Sequence, residues 1–491
     1  MGTISPGWRR IGAAALLAAC FTDARADDAA ASAAPAGAVQ AWVTTADRAR
    51  LLARDADAVF AAAPVAAPST AAGAAVIEVD PAVRYQQMAG FGAAITDASG
   101  YLIQQKLDPA RREALLRELF GRDGGIGLSF TRLTIGASDF SRSHYSFDDM
   151  PPGQQDPKLE RFSLAPQRDT VLPTVKAALA INPQLKVMAS PWSAPGWMKT
   201  GDSLVKGSLK PQAYDAFARY LSRYVAEMRR EGVPVSALTL QNEPHFEPGD
   251  YPGMRVEPFQ RAAFIGGFLG PRLAAEHPGT ALFDWDHNWD EPESPAIVLS
   301  DPKAERYIAG IAWHCYGGDV RAQGRLHDRF PDKETWFTEC SGGGWAPDWS
   351  KNLMYFARTL VIDTTRNWAR GVLLWNLALD EKDGPFLGGC KNCRGVVTID
   401  SRSGEVTRNV EYYALAHASR FVLPGAYRIA SDSADKDLAN VAFRNPDGSL
   451  ALVVANGAQA ERAFSVRVGA RSFRYRLPAG SVATFTWRGP A

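Results

Sequence analysis

Two glutamates stand where short apolar runs end. Glu243 follows "ALTLQN" and precedes Pro244, and Glu339 follows "ETWFT" and precedes "CSGGG". A strand places its last side chains at the rim of a sheet, where a polar group can face a cavity instead of a core. Pro244 offers no ladder donor and so ends the first run. The glycines after Glu339 let a ligand or a neighbouring backbone come close. Taken singly, each glutamate is an ordinary hydrogen-bonding carboxylate. Facing each other across a neutral pocket, the two suit acetal cleavage, in which one carboxyl protonates the leaving oxygen and the other attacks or steers water. They lie 96 residues apart, so only the fold can bring them together.

The elements around them are legible. Eight apolar strand candidates follow in order, "GFGAAITDA", "GIGLSFTRLTIG", "LKVMASPWSAPGW", "VSALTLQNEP", "TALFDWDHNW", "GIAWHCYGG", "ETWFTECSGG" and "GVLLWNLALD", with helical segments between them. In "DPARREALLRELFG", Asp108 is a cap, Pro109 opens the helix and Gly121 stops it. "PQAYDAFARYLSRYVAEMRREG" is long and amphipathic, with Gly232 closing it. This alternation predicts a (β/α)8 barrel over residues 88–423. A doubly wound sheet is the alternative, but no GxGxxG turn follows the first strand. From 424 to 491 the pattern becomes strands and turns. The early strands "VQAWVTTA" and "AVIEVD", within 27–87, need partners, so a flanking β-sandwich built from both chain ends is expected.

In such a barrel the C-terminal strand ends converge on one cavity. Read in order they offer Asp97, Arg132 with Asp139, Trp192, Asn242 with Glu243, Trp285 with Asn288, His314 with Tyr316, Glu339, and Trp375 with Asn376. Asp97 reads as a structural hydrogen-bonder. His245, His287 and His314 show no ligand spacing, so no metal is assigned, and no cofactor is expected. Trp197, Trp289, Trp345 and Trp349 read equally as loop packing or as leaving-group platforms.

Composition narrows the partner. With 54 Lys and Arg against 53 Asp and Glu, no net field recruits nucleic acid or an anionic membrane, and a neutral substrate fits. Residues 1–26 read as an export signal ending in "ARA", while "LAAC" resembles a lipobox that would leave Cys20 as a lipid anchor. Export permits disulfides among Cys315, Cys340, Cys390 and Cys393, whose pairing stays open.

The motifs "FGAAITDA", "SDFS", "ASPWSAPGWMKT", "GSLK", "QNEP", "WHCYGG", "FTECSGG" and "WNLALD" resemble, in matching order, glycoside hydrolase family 30, the glucosylceramidase family. The resemblance implies a retaining β-glycosidase with Glu243 as acid/base and Glu339 as nucleophile. It implies sugar contacts from Asp139, Trp192, Asn242 and Trp375, a tyrosine near the nucleophile at Tyr316, and Arg132 keeping Glu339 ionised. A β-glucoside such as glucosylceramide is the first expectation for substrate. The family's lysosomal-type members carry an asparagine-bearing segment after "NLAL"; here "DEKDGPFLGGCKNCRG" stands instead, with Asn392 as the available asparagine. That segment resembles the endo-β-1,6-glucanase branch, which is the second expectation. A carbohydrate-binding barrel without catalysis is the rival of another class.

Overall fold

The computed structural model describes residues 37–62 and 75–488; the expected signal segment and Cys20 lie outside them. The eight strand candidates form one closed parallel barrel: β1 (Gly90–Ala94), β2 (Phe130–Ile135), β3 (Lys186–Pro191), β4 (Val235–Thr239), β5 (Ala281–Asn288), β6 (Gly310–His314), β7 (Glu334–Glu339) and β8 (Ala369–Asn376). β8 closes on β1, with Val372 opposite Phe91, which rules out the open doubly wound sheet. The helix Pro109–Phe120 starts where expected, the Asp108 carboxylate accepting from the Arg111 N–H at 2.9 Å. Tyr214–Arg230 is the long helix, and Gly232 closes its turn at φ 81°.

The barrel interior is built in layers. At its base each strand contributes one apolar residue: Ala89 just ahead of β1, then Phe130, Met188, Ala237, Phe283, Ala312, Trp336 and Leu373. Side chains alternate along a strand, so the next inward position lies two residues on. There the chain places Arg132, Ser190, Thr239, His314, Thr338 and Trp375, all buried. An apolar plug thus seals the barrel and a mostly polar layer lies above it.

Strand β5 breaks the alternation. Trp285 and Asp286 have left-handed backbones, φ 77° and 54°, and the register against β6 shifts between Trp285 and His287. Asp284 therefore faces the outer helix Pro258–Phe264, accepting from Arg261 at 2.9 Å, and Trp285 packs beneath the same guanidinium. Asp286 turns into the barrel instead. Trp285, expected at the cavity, is a packing residue because of this bulge.

Both chain ends build the flanking sheet. Ala38–Thr44 pairs antiparallel with Ser481–Arg488, and Ala75–Gln87 lies between Tyr427–Ser433 and Arg462–Val468 in an eleven-stranded sheet. The sheet rolls over its own core: Phe473 and Phe485, on strands far apart in the order, bring their rings within 5.3 Å. The strand expected at "AVIEVD" runs on to Gln87 through Pro81, which the register accommodates with an irregularity opposite Ile429 and Ala430. His417 fixes the helix Val410–Ser419 to this sheet through the hydroxyls of Thr44 and Thr484, each 2.9 Å away. Burial pushes its imidazole down to about 3, so it stays neutral.

Candidate active site

Arg132 is the hub of the polar layer. It is fully buried on β2, and its guanidinium donates to Glu339, to Asn242 Oδ1 at 2.7 Å and to Asp286 at 2.7 Å. A pair of indoles also faces the charge, Trp192 4.7 Å from the guanidinium carbon and Trp375 5.7 Å. Asp286 is the residue the sequence reading missed. Its carboxylate accepts from Arg132, Ser190, Thr239 and Thr338 and faces His314 Nε2 at 3.0 Å. A signal for it existed in "FDWDHN", where two aspartates alternate in an apolar strand.

Glu243 lies beyond the end of β4, and its backbone is left-handed at φ 46°. Such a conformation costs a non-glycine residue about 1–3 kcal/mol and needs neighbours that enforce it. Here the Asn242 N–H donates to Pro191 O and the Glu243 N–H to Asp286 O, at 2.8 and 3.0 Å. Pro244 thus ends no strand; it follows a turn tied to β3 and β5. The Glu243 Oε1 lies 3.0 Å from His314 Nδ1 and 3.5 Å from His287 Nδ1. On its other nitrogen His314 approaches Glu339 Oε2 at 4.0 Å, so one imidazole stands between the two glutamates.

A cavity of about 670 Å³ opens over this layer. Asp139, Trp192, Asn242, Glu243, Asn288, Tyr316, Glu339 and Trp375 all line it. The Tyr316 hydroxyl donates to Glu339 Oε1 at 3.0 Å. Asn242 has its Oδ1 occupied by Arg132, which leaves its amide N–H groups for a sugar hydroxyl. Trp192 and Trp375 are not separate platforms: they stack on each other at 4.9 Å. Asp97 and Asn376 are absent from the lining. Asp97 is bound by Arg142 and Thr170, and Asn376 Oδ1 accepts from Thr96.

The cysteines pair Cys315 with Cys340 and Cys390 with Cys393. The first bond joins the neighbours of Tyr316 and Glu339; the second lies on the cavity wall. Of the four tryptophans left open, Trp345 lines the mouth, half exposed beside Phe246, whereas Trp197 and Trp289 donate their indole N–H inside the protein and Trp349 packs on Tyr413. Asn392 does not reach the cavity lining; its carbonyl accepts from the Gly344 N–H at 2.8 Å and so braces the Trp345 turn. The glycines after Glu339 serve that packing: a Cβ on Gly343 would collide with the Trp345 ring and Asn392 O, and one on Gly342 with Glu411.

The surroundings divide the charge unequally between the two glutamates. Burial would raise Glu243, but its contacts with His287 and His314 outweigh that and hold it at about 2. Burial pushes Glu339 up, against the pull of His314 and Arg132. A charged imidazole is favoured beside Glu243: burial opposes the charged form of His314, but the charges of Glu339, Asp286 and Glu243 push it up to about 9. Asp139 is pushed up to about 8 by burial and the charges of Glu339 and Glu243, so at neutral pH it is a neutral acid able to donate to a sugar.

Arg132 favours the ionised form of Glu339, so removing it raises that carboxyl further. Activity that needs the ionised form should then fail at a higher pH on acidification. Arg132→Met should move the acidic limb of kcat/KM up by about 1–3 pH units, and Arg132→Lys, which keeps a charge, by less. An unshifted limb in a variant with native circular dichroism would make Arg132 a purely structural residue.

The comparisons agree with this geometry. Residues 88–422 match the glycosyl hydrolase family 30 TIM-barrel domain and 425–485 the glycosyl hydrolase family 30 beta sandwich domain. The endo-1,6-beta-D-glucanase neg1 of Aspergillus fumigatus is 34% identical over 396 residues, 76% of this chain and 78% of that protein. The lysosomal acid glucosylceramidase of Mus musculus is 30% identical over 439 residues, 84% and 83% of the two chains. Among solved structures, the endo-beta1,6-glucanase BT3312 superposes with a TM-score of 0.84 at 35% identity, covering 93% of this chain and 100% of that one. A barrel with two glutamates beside one imidazole, flanked by the matching sandwich, settles the class: the chain belongs to glycosyl hydrolase family 30 and is a glycoside hydrolase.

Proposed function

We propose that this protein is a retaining endo-β-1,6-glucanase, with Glu339 as nucleophile and Glu243 as acid/base. The expectation that placed glucosylceramide first becomes the second reading. The observation that carries the choice is the cavity wall made by the Cys390–Cys393 segment, the stretch that sets this sequence apart from lysosomal-type members. The 34% and 35% identities to proteins named as β-1,6-glucanases support it. Phe246 and Trp345 at the mouth offer apolar faces to further glucosyl units of a chain.

In the first step a Glu339 oxygen attacks the anomeric carbon while Glu243 protonates the departing oxygen; in the second, Glu243 takes a proton from water, which releases the sugar from the Glu339 ester. Arg132 and Tyr316 hold Glu339 in line. His314 Nδ1, 3.0 Å from Glu243 Oε1, is placed to supply the proton for the first step. Moving it to Oε1 leaves a neutral imidazole that still donates from Nε2 to Asp286, with no change of net charge. The two disulfides suit an oxidising compartment, the setting expected from the first 26 residues, and support export. No helix among the described residues is long and apolar enough to cross a membrane.

Product analysis tests the reading. Linear β-1,6-glucan should yield oligosaccharides of mixed length from the first minutes, with the β-anomer formed first in NMR spectra, and kcat/KM on glucosylceramide should be lower by about 100-fold. Faster release of glucose from glucosylceramide would restore the other substrate, and a first-formed α-anomer would remove the retaining mechanism.

A further inference from the structure

Glu243, His287 and His314 form a cluster that the glycosidase chemistry does not fully explain. Glu243 Oε1 and one nitrogen from each imidazole all lie within 4.8 Å of one another. From Glu243 Oε1, His314 Nδ1 is 3.0 Å and His287 Nδ1 3.5 Å away. Tetrahedral zinc with bonds near 2.0–2.1 Å separates its ligand atoms by about 3.3 Å, so two of the three edges already fit. Two imidazoles and a carboxylate are a zinc donor set with a fourth position left for water. Glu243 and His287 line the cavity, so the cluster borders it.

Two further observations point the same way. His287 is 8% exposed, and its Nδ1 has no hydrogen-bond partner, so a buried lone pair or N–H is aimed into the cluster. His314 Nε2 faces Asp286 Oδ1 at 3.0 Å, and Asp286 is fully buried and paired with Arg132. A carboxylate accepting the far N–H of a histidine fixes the tautomer whose near nitrogen can bind a metal. Beside the cluster stand the carboxyls of Asp286 and Glu339, which share the single guanidinium of Arg132, so the surroundings do not repel a cation.

We propose that Glu243 Oε1, His287 Nδ1 and His314 Nδ1 form an inhibitory site for a divalent transition metal, with Zn2+ as the fitting ion. An ion bound to Glu243 Oε1 and to the two imidazoles occupies the acid/base carboxyl, so Glu243 can neither give nor take a proton while the ion is there. The site lends the enzyme sensitivity to free metal and serves no step of hydrolysis. Its inhibitory effect rests on the acid/base role of Glu243; metal binding itself does not.

Calorimetry on tag-free, EDTA-stripped full chain in a non-chelating buffer should show one Zn2+ bound per chain. Hydrolysis of β-1,6-glucan should fall over the same concentration range and recover with EDTA. His287→Ala and Glu243→Gln, folded by circular dichroism, should each weaken binding by at least about tenfold, while His144→Ala, at a half-buried histidine outside the cluster, should bind as the parent does. No binding to the parent chain, or binding unchanged in both His287→Ala and Glu243→Gln, would overturn the site. The calorimetry uses no substrate, so a failed β-1,6-glucan assignment leaves it intact, and a failed metal site leaves the product analysis intact.

Discussion

Glu339→Gly should leave a folded protein whose turnover of β-1,6-glucan falls by about five orders of magnitude or more, the scale on which loss of a nucleophile acts. Folding should survive because Arg132, the cation that faces Glu339, keeps its pairing with Asp286 at 2.7 Å and its contact with Asn242. The glycine opens a space beside the anomeric carbon, lined by Tyr316 and Arg132. Azide or formate entering there can attack from the face the carboxylate used. With an activated aryl β-glucoside, azide should therefore give the α-glycosyl azide, one inversion from substrate. A natively folded variant that no small anion rescues, or that yields the β-azide, would assign the nucleophile to another residue.

The reading of strand ends succeeded where the alternation of side chains is regular. Ala237, Thr239 and the turn beyond them, or Trp336, Thr338 and Glu339, follow from where apolar runs stop, and a barrel turns those stops into one rim. It failed on β5, because alternation assumes an extended backbone. Two consecutive left-handed residues, Trp285 and Asp286, reverse which side chain faces inward, and nothing in a tally of apolar positions reveals them. The most connected carboxylate of the site was passed over for that reason.

His314 was placed at its strand end but given no role, because a histidine's role depends on what meets each of its nitrogens. Those partners, Glu243 in the turn after β4 and Asp286 on β5, lie 71 and 28 residues away in the chain. The same separation hid the grouping of Glu243, His287 and His314: sequence spacing detects such groups on one helix or hairpin, not on two barrel strands and the turn after a third. Arg132, expected to serve Glu339, is shared with Asp286, and the imidazole of His314 stands as a further cationic partner beside the two glutamates.

Glu243→Ala should behave differently from Glu339→Gly in three ways. Cleavage of β-1,6-glucan, whose departing sugar alkoxide needs a proton, should slow by about 10³–10⁴-fold, near the upper range for general acid catalysis. The glycosylation of Glu339 by an aryl glucoside with a very acidic phenol should slow by about tenfold or less, since that leaving group departs without help. Deglycosylation should then limit turnover, because no base activates water, and azide should accelerate it. The azide now attacks the glucosyl–Glu339 ester, so the product carries two inversions and is the β-glycosyl azide, opposite to that from Glu339→Gly. His314 and His287 remain in this variant, but their nitrogens lie 3.0 and 3.5 Å back from where the Glu243 Oε1 stood, so neither should substitute for it on natural substrate. Equal slowing of good and poor leaving groups, or the same azide anomer from both variants, would mean that the two glutamates do not divide the work as their surroundings imply.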